Sequence, residues 1–300
     1  MNDDTWDLRA PSFARRHLPP AAGRLAKRAA VHLRYWQQLR AARNGYRQHG
    51  GDYPHPILFI AGLPKSGTTW LKKMVASYPG YGEVMIPQAA AYELTHRGSH
   101  DYNLPDDVFV RLDGALAVMK MHVHGSPHNV ALLARHRIPY VVLYRDLRDV
   151  AISYYFYVRR TPWHPDYHRF QNVDLRDGLL RFADFPLPEY VAWIESWRAH
   201  EGPERALTLR YEDLLAGTPG RLAAVAEHFG LDHSASTVER IAAAHSFAAL
   251  SGGRDPGQEK QDSFVRKGVA GEWRARFPAD VVDHYQSIIG DFMAELGYAG

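Results

Sequence analysis

Residues 57 to 70 read Ile-Leu-Phe-Ile-Ala-Gly-Leu-Pro-Lys-Ser-Gly-Thr-Thr-Trp, and no other stretch constrains the fold as tightly. Ile57 to Ala61 is a short apolar run bounded by turn residues, the pattern of a buried strand. Gly62, Pro64 and Gly67 mark a tight loop, and Thr68 to Met74 has helix-forming character. Strand, glycine loop and helix start together offer backbone N–H groups and the positive end of a helix dipole to an anion.

The rest of the chain extends that pattern. Ala115 to Met121 and Pro139 to Tyr144 read as further strands, with a helix at Pro127 to Arg137 between them. A helix follows at Leu147 to Arg159, and an amphipathic one at Pro188 to His200. Ala206 to Arg210 reads as another strand, followed by helices at Gly220 to Phe229, Thr237 to His245 and Ala279 to Glu295. Alternating strands and helices imply an α/β fold, a mostly parallel sheet flanked by helices on both faces in a single domain. Two stretches, Arg160 to Asp174 and Leu250 to Phe264, read as loop-rich. The second is rich in glycine and charge, with almost no apolar anchors. It is expected to be a mobile lid.

Charge divides the chain. Residues 1 to 50 hold ten Lys/Arg against three Asp/Glu, while the remaining 250 carry a net −4. We therefore expect a basic N-terminal helical extension over residues 1–50 and a main domain over 51–300. Within the extension, Leu25, Ala29, Leu33, Trp36 and Leu39 form one apolar stripe. A membrane-surface or acidic-partner helix is one reading. A helix packed on the domain with a solvated basic face is the favoured one. The near-neutral body argues against a nucleic-acid surface. Hydrophobic and charged contents of 46% and 23% are those of a soluble protein. No apolar run reaches the length of a membrane span, so no integral membrane association is expected. With no cysteine, disulfides, thiol catalysis and thiolate metal sites are excluded. This is compatible with a reducing, cytoplasmic setting.

The order of the loop residues narrows its ligand. An ATP-binding Walker A loop carries its lysine after the second glycine. Here Lys65 precedes Gly67, in Pro-Lys-Ser-Gly-Thr-Thr-Trp. That order resembles the 5′-phosphosulfate loop of the sulfotransferases that use 3′-phosphoadenosine 5′-phosphosulfate (PAPS). Arg145-Asp-Leu-Arg-Asp-Val-Ala-Ile-Ser153 has a spacing similar to the family's 3′-phosphate site, with an arginine eight residues before a serine. Lys120-Met-His122 resembles the family's Lys-x-His. His124 and His128 follow closely, and alternation puts His122 and His124 on the same face of a strand. A three-histidine metal site is the competing reading, and the expectation is no metal. Leu209-Arg-Tyr211-Glu-Asp resembles the adenine-contacting strand end, and His245-Ser246-Phe247 a second segment near the base. Arg266-Lys267-Gly268-Val-Ala-Gly-Glu272-Trp273 resembles Arg-Lys-Gly-x-x-Gly-Asp-Trp, with glutamate for aspartate. The family's dimer segment should follow Trp273. Arg274-Ala-Arg-Phe-Pro-Ala-Asp280 stands there instead, so the oligomeric state is open.

The resemblance spans about residues 55 to 278 and is closest to cytosolic sulfotransferases of small molecules. It implies transfer of a sulfuryl group from PAPS to a hydroxyl of a phenolic or lipophilic acceptor, releasing PAP, with no metal required. Lys65, Lys120, His122 and Ser153 are the implied catalytic set, with His122 the general base. Its ordinary pKa of about 6.5 suits proton removal near neutrality. Lys65, Ser66, Gly67, Thr68, Thr69, Trp70, Arg145, Ser153, Tyr211, Ser246, Phe247, Arg266, Lys267 and Gly268 are the implied PAPS-binding set. Acceptor contacts are expected from Pro87 to Tyr92, Tyr154 to Tyr157 and Pro162 to His168, whose aromatic character motivates the acceptor class. A P-loop kinase using ATP-Mg and a non-catalytic nucleotide-binding module are the alternatives. Loop order opposes the first, and the presence of Lys65 and His122 opposes the second.

Overall fold

The computed structural model describes residues 20–298, save Arg97, Trp163, residues 201–205, Asp262 and Phe264; the side chains of residues 20–29, Ala90 and Leu94 also fall outside the description. Five strands form one parallel sheet: β1 (Ile57–Gly62), β2 (Gly82–Glu83), β3 (Ala117–Met121), β4 (Tyr140–Tyr144) and β5 (Ala206–Arg210). Their spatial order is β2-β3-β1-β4-β5, so β1 is central.

Side chains alternate across each strand and both faces are buried, which is why the strands read as continuous apolar runs. Phe59, Ala61, Met119 and Val142 enter one core, beside Leu132, Val150, Leu179, Trp193 and Tyr285 from five helices. Leu58, Ile60, Val118 and Val141 enter the other, beside Leu71, Leu222 and Ile241 from three more. Parallel pairing puts every strand's carboxyl end on one edge, where ligands bind in open α/β sheets. The 63–67 loop, His122, Arg145 and Tyr211 each directly follow a strand at that edge.

Some elements escaped the sequence pattern. Strand β2 is two residues long, too short for any periodicity. Helix Leu175–Asp184 is interrupted on paper by Gly178, which reads as a breaker. The glycine serves close packing instead: a Cβ there would stand 2.3 Å from the Tyr155 ring of the helix Leu147–Arg159.

The N-terminal helix, Pro20–His49, packs on the domain, but of the predicted stripe's described side chains only Leu39 is buried. Val31, Tyr35, Leu39 and Ala42 are buried, while Leu33 and Trp36 are each 61% exposed. Leu25 and Ala29 lie outside the described side chains. The error has a simple cause. Apolar residues occur on both faces of this helix, and spacing alone could not say which face meets the sheet. Gln38 Oε1 accepts from the Met85 amide at 3.1 Å, and the Ala42 carbonyl accepts from Leu116 N at 3.0 Å. Gly45 presses on Gly80, where a Cβ would come within 1.8 Å of the carbonyl oxygen.

Candidate active site

The chain leaves β1, turns through Leu63 to Gly67 and enters the helix Thr68–Val75. Lys65 and Gly67 both have left-handed backbones, with φ 67° and 79°. A lysine held there is strained by on the order of 1 kcal/mol. Gly67 is required for a second reason, since a Cβ would stand 2.7 Å from the Tyr211 ring. Gly67 caps the helix without a side-chain acceptor, which leaves the first helical N–H groups for an anion.

Cations converge on this turn. The Lys65 ammonium lies 4.0 Å over the Tyr157 ring. Burial pushes its pKa well down, and so do Arg160, Arg145, Arg266 and Lys120, all positively charged neighbours. Ser66 Oγ and Arg145 Nε are buried without a hydrogen-bond partner among the described residues. A cluster of mutually repelling cations with spare buried donors fits a bound polyanion.

Arg145 is positioned from two sides. It donates to Asp149 at 3.0 Å and to the Val269 carbonyl at 3.0 Å, and lies 4.4 Å over the Tyr211 ring. Asp149 also accepts from Gly271 N at 2.7 Å and Trp273 N at 3.0 Å. One buried carboxylate thus ties the 266–273 segment to the helix that begins just after Arg145. Ser153 lies half-buried on that same helix.

Trp70 donates to the His245 carbonyl at 2.8 Å and meets Tyr211 edge-on at 6.4 Å. Ser246 caps the helix Phe247–Ser251 by accepting from Ala249 N. Gly268, with φ 66°, fits so closely under Phe247 that a Cβ would lie 2.1 Å from the ring. The sequence elements expected to hold a nucleotide are therefore contiguous in space. Arg266 and Lys267 reach carboxylates as well: Arg266 Nη1 meets Glu259 at 2.6 Å, and Lys267 Nζ meets Glu272 at 3.2 Å. Glu272 also pairs with Arg266 and Arg276, so the residue that replaces the expected aspartate sits at the centre of a cation cluster.

Lys120 and His122 leave the end of β3 side by side, with Nζ and Nε2 2.8 Å apart. His122 Nδ1 bonds the Gly62 carbonyl, which can only accept, so Nδ1 carries the proton and Nε2 the lone pair. Trp193 Nε1 donates to the His122 carbonyl at 2.7 Å and fixes the backbone there. Burial and the Lys120 charge hold the His122 pKa well below its usual value, while burial draws Lys120 down to about 7. His124 and His128 point elsewhere. His124 meets Glu189 at 3.0 Å, and His128 Nε2 meets the Leu104 carbonyl at 2.8 Å. Among the described residues, no group of three or more His, Asp or Glu could hold a metal ion.

Several residues near the site carried no sequence signal. His100 is buried between Glu93 at 3.8 Å and Glu189 at 3.6 Å, and its ring stands 5.7 Å from that of His122. Burial alone would lower its pKa; the two carboxylates more than reverse this and raise it to about 9. Arg160 bonds the Gln261 carbonyl at 3.0 Å and that of Ser263. Arg254 gives the 250–264 segment a polar anchor in place of apolar ones. Its guanidinium gathers the carbonyls of Gln258, Val265 and Arg266, the first and last at 2.8 and 2.9 Å. An arginine in a glycine-rich loop reads as solvated charge, which is why it was overlooked.

Residues 55–297 match the family described as "Sulfotransferase domain". The chain is similar to Sulfotransferase 1E1 of Cavia porcellus, at 23% identity over 281 residues, covering 85% of this chain and 87% of that protein. It is similar to Sulfotransferase 1A1 of Canis lupus familiaris, at 24% identity, covering 73% and 77%. Among solved structures it resembles mouse sulfotransferase SULT7A1 complexed with PAP, with TM-score 0.60, 18% identity and coverage of 79% and 84%. It also resembles retinol dehydratase in complex with androsterone and PAP, with TM-score 0.56, 19% identity and coverage of 83% and 85%. These structural likenesses establish a shared fold.

Proposed function

The chain belongs to the sulfotransferase family, whose members move a sulfuryl group from PAPS to a small acceptor, and we propose the following assignment of that reaction to its residues. When bound, PAPS supplies the activated sulfuryl group and departs as PAP. Lys65 and the amides of Ser66, Gly67, Thr68 and Thr69 hold its 5′ end, and Lys65 neutralises charge on the bridging oxygen. Arg145, Ser153, Arg266, Lys267 and Gly268 hold the 3′-phosphate. Trp70, Tyr211, Ser246 and Phe247 enclose the base. His122 Nε2 takes the proton of the acceptor hydroxyl, and Lys120 stabilises charge on the sulfuryl oxygens.

One observation carries this reading. Burial depresses the pKa of the Lys65 ammonium, and the neighbouring Arg160, Arg145, Arg266 and Lys120 depress it further. Asp149, Glu259 and Glu272 offset part of this charge, and a bound polyanion would offset the rest. Sulfuryl and phosphoryl transfers are alike in needing positioning and charge neutralisation more than covalent help from the protein. The position of Lys65 before Gly67 separates this loop from that of an ATP-dependent kinase.

The acceptor we assign is a small phenol or lipophilic alcohol. Tyr154, Tyr157 and Tyr190 support it from the site's aromatic side. Glu93 and His100 add a polar edge beside His122. We assign the protein to the cytoplasm on its resemblance to the cytosolic small-molecule branch. Residues 1–50 are assigned as an extension of the catalytic domain on the strength of their charge. Incubation with PAPS labelled in the sulfuryl group and a panel of phenols, sterols and amines tests the assignment. Label should pass to a hydroxyl acceptor in the wild type and not in Lys65→Ala. Turnover of ATP-Mg with no transfer from PAPS would contradict it.

A further inference from the structure

The exposed face of the N-terminal helix has no part in catalysis, and packing accounts only for Arg43, which donates to the Arg111 carbonyl at 3.2 Å. Opposite the buried row of Val31, Tyr35, Leu39 and Ala42 runs a second row: Leu33, Trp36, Arg40, Arg43 and Arg47. The spacings of three and four residues put all five on one side of the helix, and all five are exposed. Leu33 and Trp36 are each 61% exposed, among the most exposed large apolar side chains described. The helix Pro20–His49 contains seven Lys/Arg and no Asp or Glu. The chain after residue 50 carries net −4, so the net positive charge of the chain lies on its N-terminal side, with this helix.

We propose that this face is a docking surface for an anionic lipid membrane. The two ends of the row suit the two layers of such a surface. Leu33 and Trp36 match the headgroup–acyl boundary, where apolar and aromatic side chains of interfacial helices lie. Arg40, Arg43 and Arg47 match the negatively charged headgroups, each contributing attraction that salt screens. An arginine row alone would suit a nucleic acid equally well. A tryptophan can stack on an unpaired base, but the adjoining leucine has no partner there; an apolar pair next to the arginines favours the lipid. The buried row and the bonds from Gln38 and Ala42 hold the helix to the domain, so lipid would meet it as a preformed face. The protein would lie on the membrane without spanning it, since no described helix is long and apolar enough to cross one.

Vesicle sedimentation of the full chain tests this. The protein should sediment with vesicles of phosphatidylcholine and phosphatidylserine, much less with phosphatidylcholine alone, and less as salt rises. Leu33→Ala/Trp36→Ala should weaken binding at least roughly tenfold. Arg40→Gln/Arg47→Gln should weaken it about thirtyfold. Both variants should keep the wild-type thermal shift with PAP, which shows that the domain is intact. Failure to bind anionic vesicles, or binding indifferent to both variants, overturns the proposal. So does a dimer in solution that Leu33→Ala/Trp36→Ala dissociates, because the face would then cover a second copy. Tighter retention on nucleic acid than on anionic vesicles overturns it too.

Discussion

Lys120 Nζ lies 2.8 Å from His122 Nε2, and with the Gly62 carbonyl on the other ring nitrogen this contact sets the imidazole's tautomer. The lone pair is at Nε2, beside Lys120, and burial first and the charge of protonated Lys120 second hold the ring neutral. A neutral imidazole with a fixed lone pair is the form a general base requires.

His122→Ala should therefore lower turnover on the order of 10²–10⁴-fold and leave PAP affinity nearly unchanged. His124→Ala should keep most activity, since that ring is turned to Glu189. Steady-state rates with labelled PAPS and calorimetry with PAP check both. An active His122→Ala beside a dead His124→Ala would reverse the assignment.

Gly268→Ala should damage nucleotide binding more than its size suggests. The residue has φ 66°, and a Cβ would collide with Phe247 at 2.1 Å. Moving the ring and straining the backbone should cost about 1–3 kcal/mol, felt at the contact between the 247 and 268 segments. PAP affinity should fall by about tenfold or more, while Gly253→Ala, also at positive φ but with no atom near its Cβ, should affect stability alone. Equal PAP affinities for the two variants would count against the contact.

The Glu93–His100–Glu189 cluster predicts a pH dependence of stability. The pKa of His100 is raised to about 9, so its contribution is complete below about 6.5, its unfolded value, and is lost as pH rises through 9. Glu93, drawn down to about 2 despite burial, contributes above about 4.3 and loses that contribution in acid. Between pH 6.5 and 9 the wild type should lose on the order of 2 kcal/mol more unfolding free energy than His100→Gln. Urea melts at the two pH values measure this. Parallel losses in both proteins would show that the cluster does not titrate with folding.

Arg254→Ala should release the 250–264 segment, because its guanidinium gathers the carbonyls of Gln258, Val265 and Arg266. Amide exchange should accelerate across residues 255–267, and the KM for PAPS should rise with a smaller change in kcat. Exchange indistinguishable from wild type would assign the anchoring elsewhere.

Much of this site was legible because its chemistry is local. The 57–70 stretch fixes strand, loop and helix within fourteen residues, and the run from Arg145 to Ser153 does the same one strand over. The last helix, Ala279–Glu295, was also readable end to end. Contacts made at long range were not. Asp149 joins residues 145, 271 and 273, and His100 meets carboxylates at 93 and 189; neither carries a periodic or motif signal. The N-terminal helix failed for a different reason. Its sequence offers two apolar rows, and only the sheet's position decides which is buried.

The central claim is that the cations around Lys65, Arg145 and Arg266 form a site for a nucleotide with phosphate at both 5′ and 3′ positions. Calorimetric titration with PAP and with AMP, which differ only in the 3′-phosphate, tests it most directly. Each charge-assisted contact to that phosphate should contribute about 1.5–3 kcal/mol, so PAP should bind at least ~10-fold more tightly than AMP. Arg145→Gln/Lys267→Gln should close most of that gap while leaving AMP binding nearly unchanged. Equal affinities for PAP and AMP in the wild type would contradict the account.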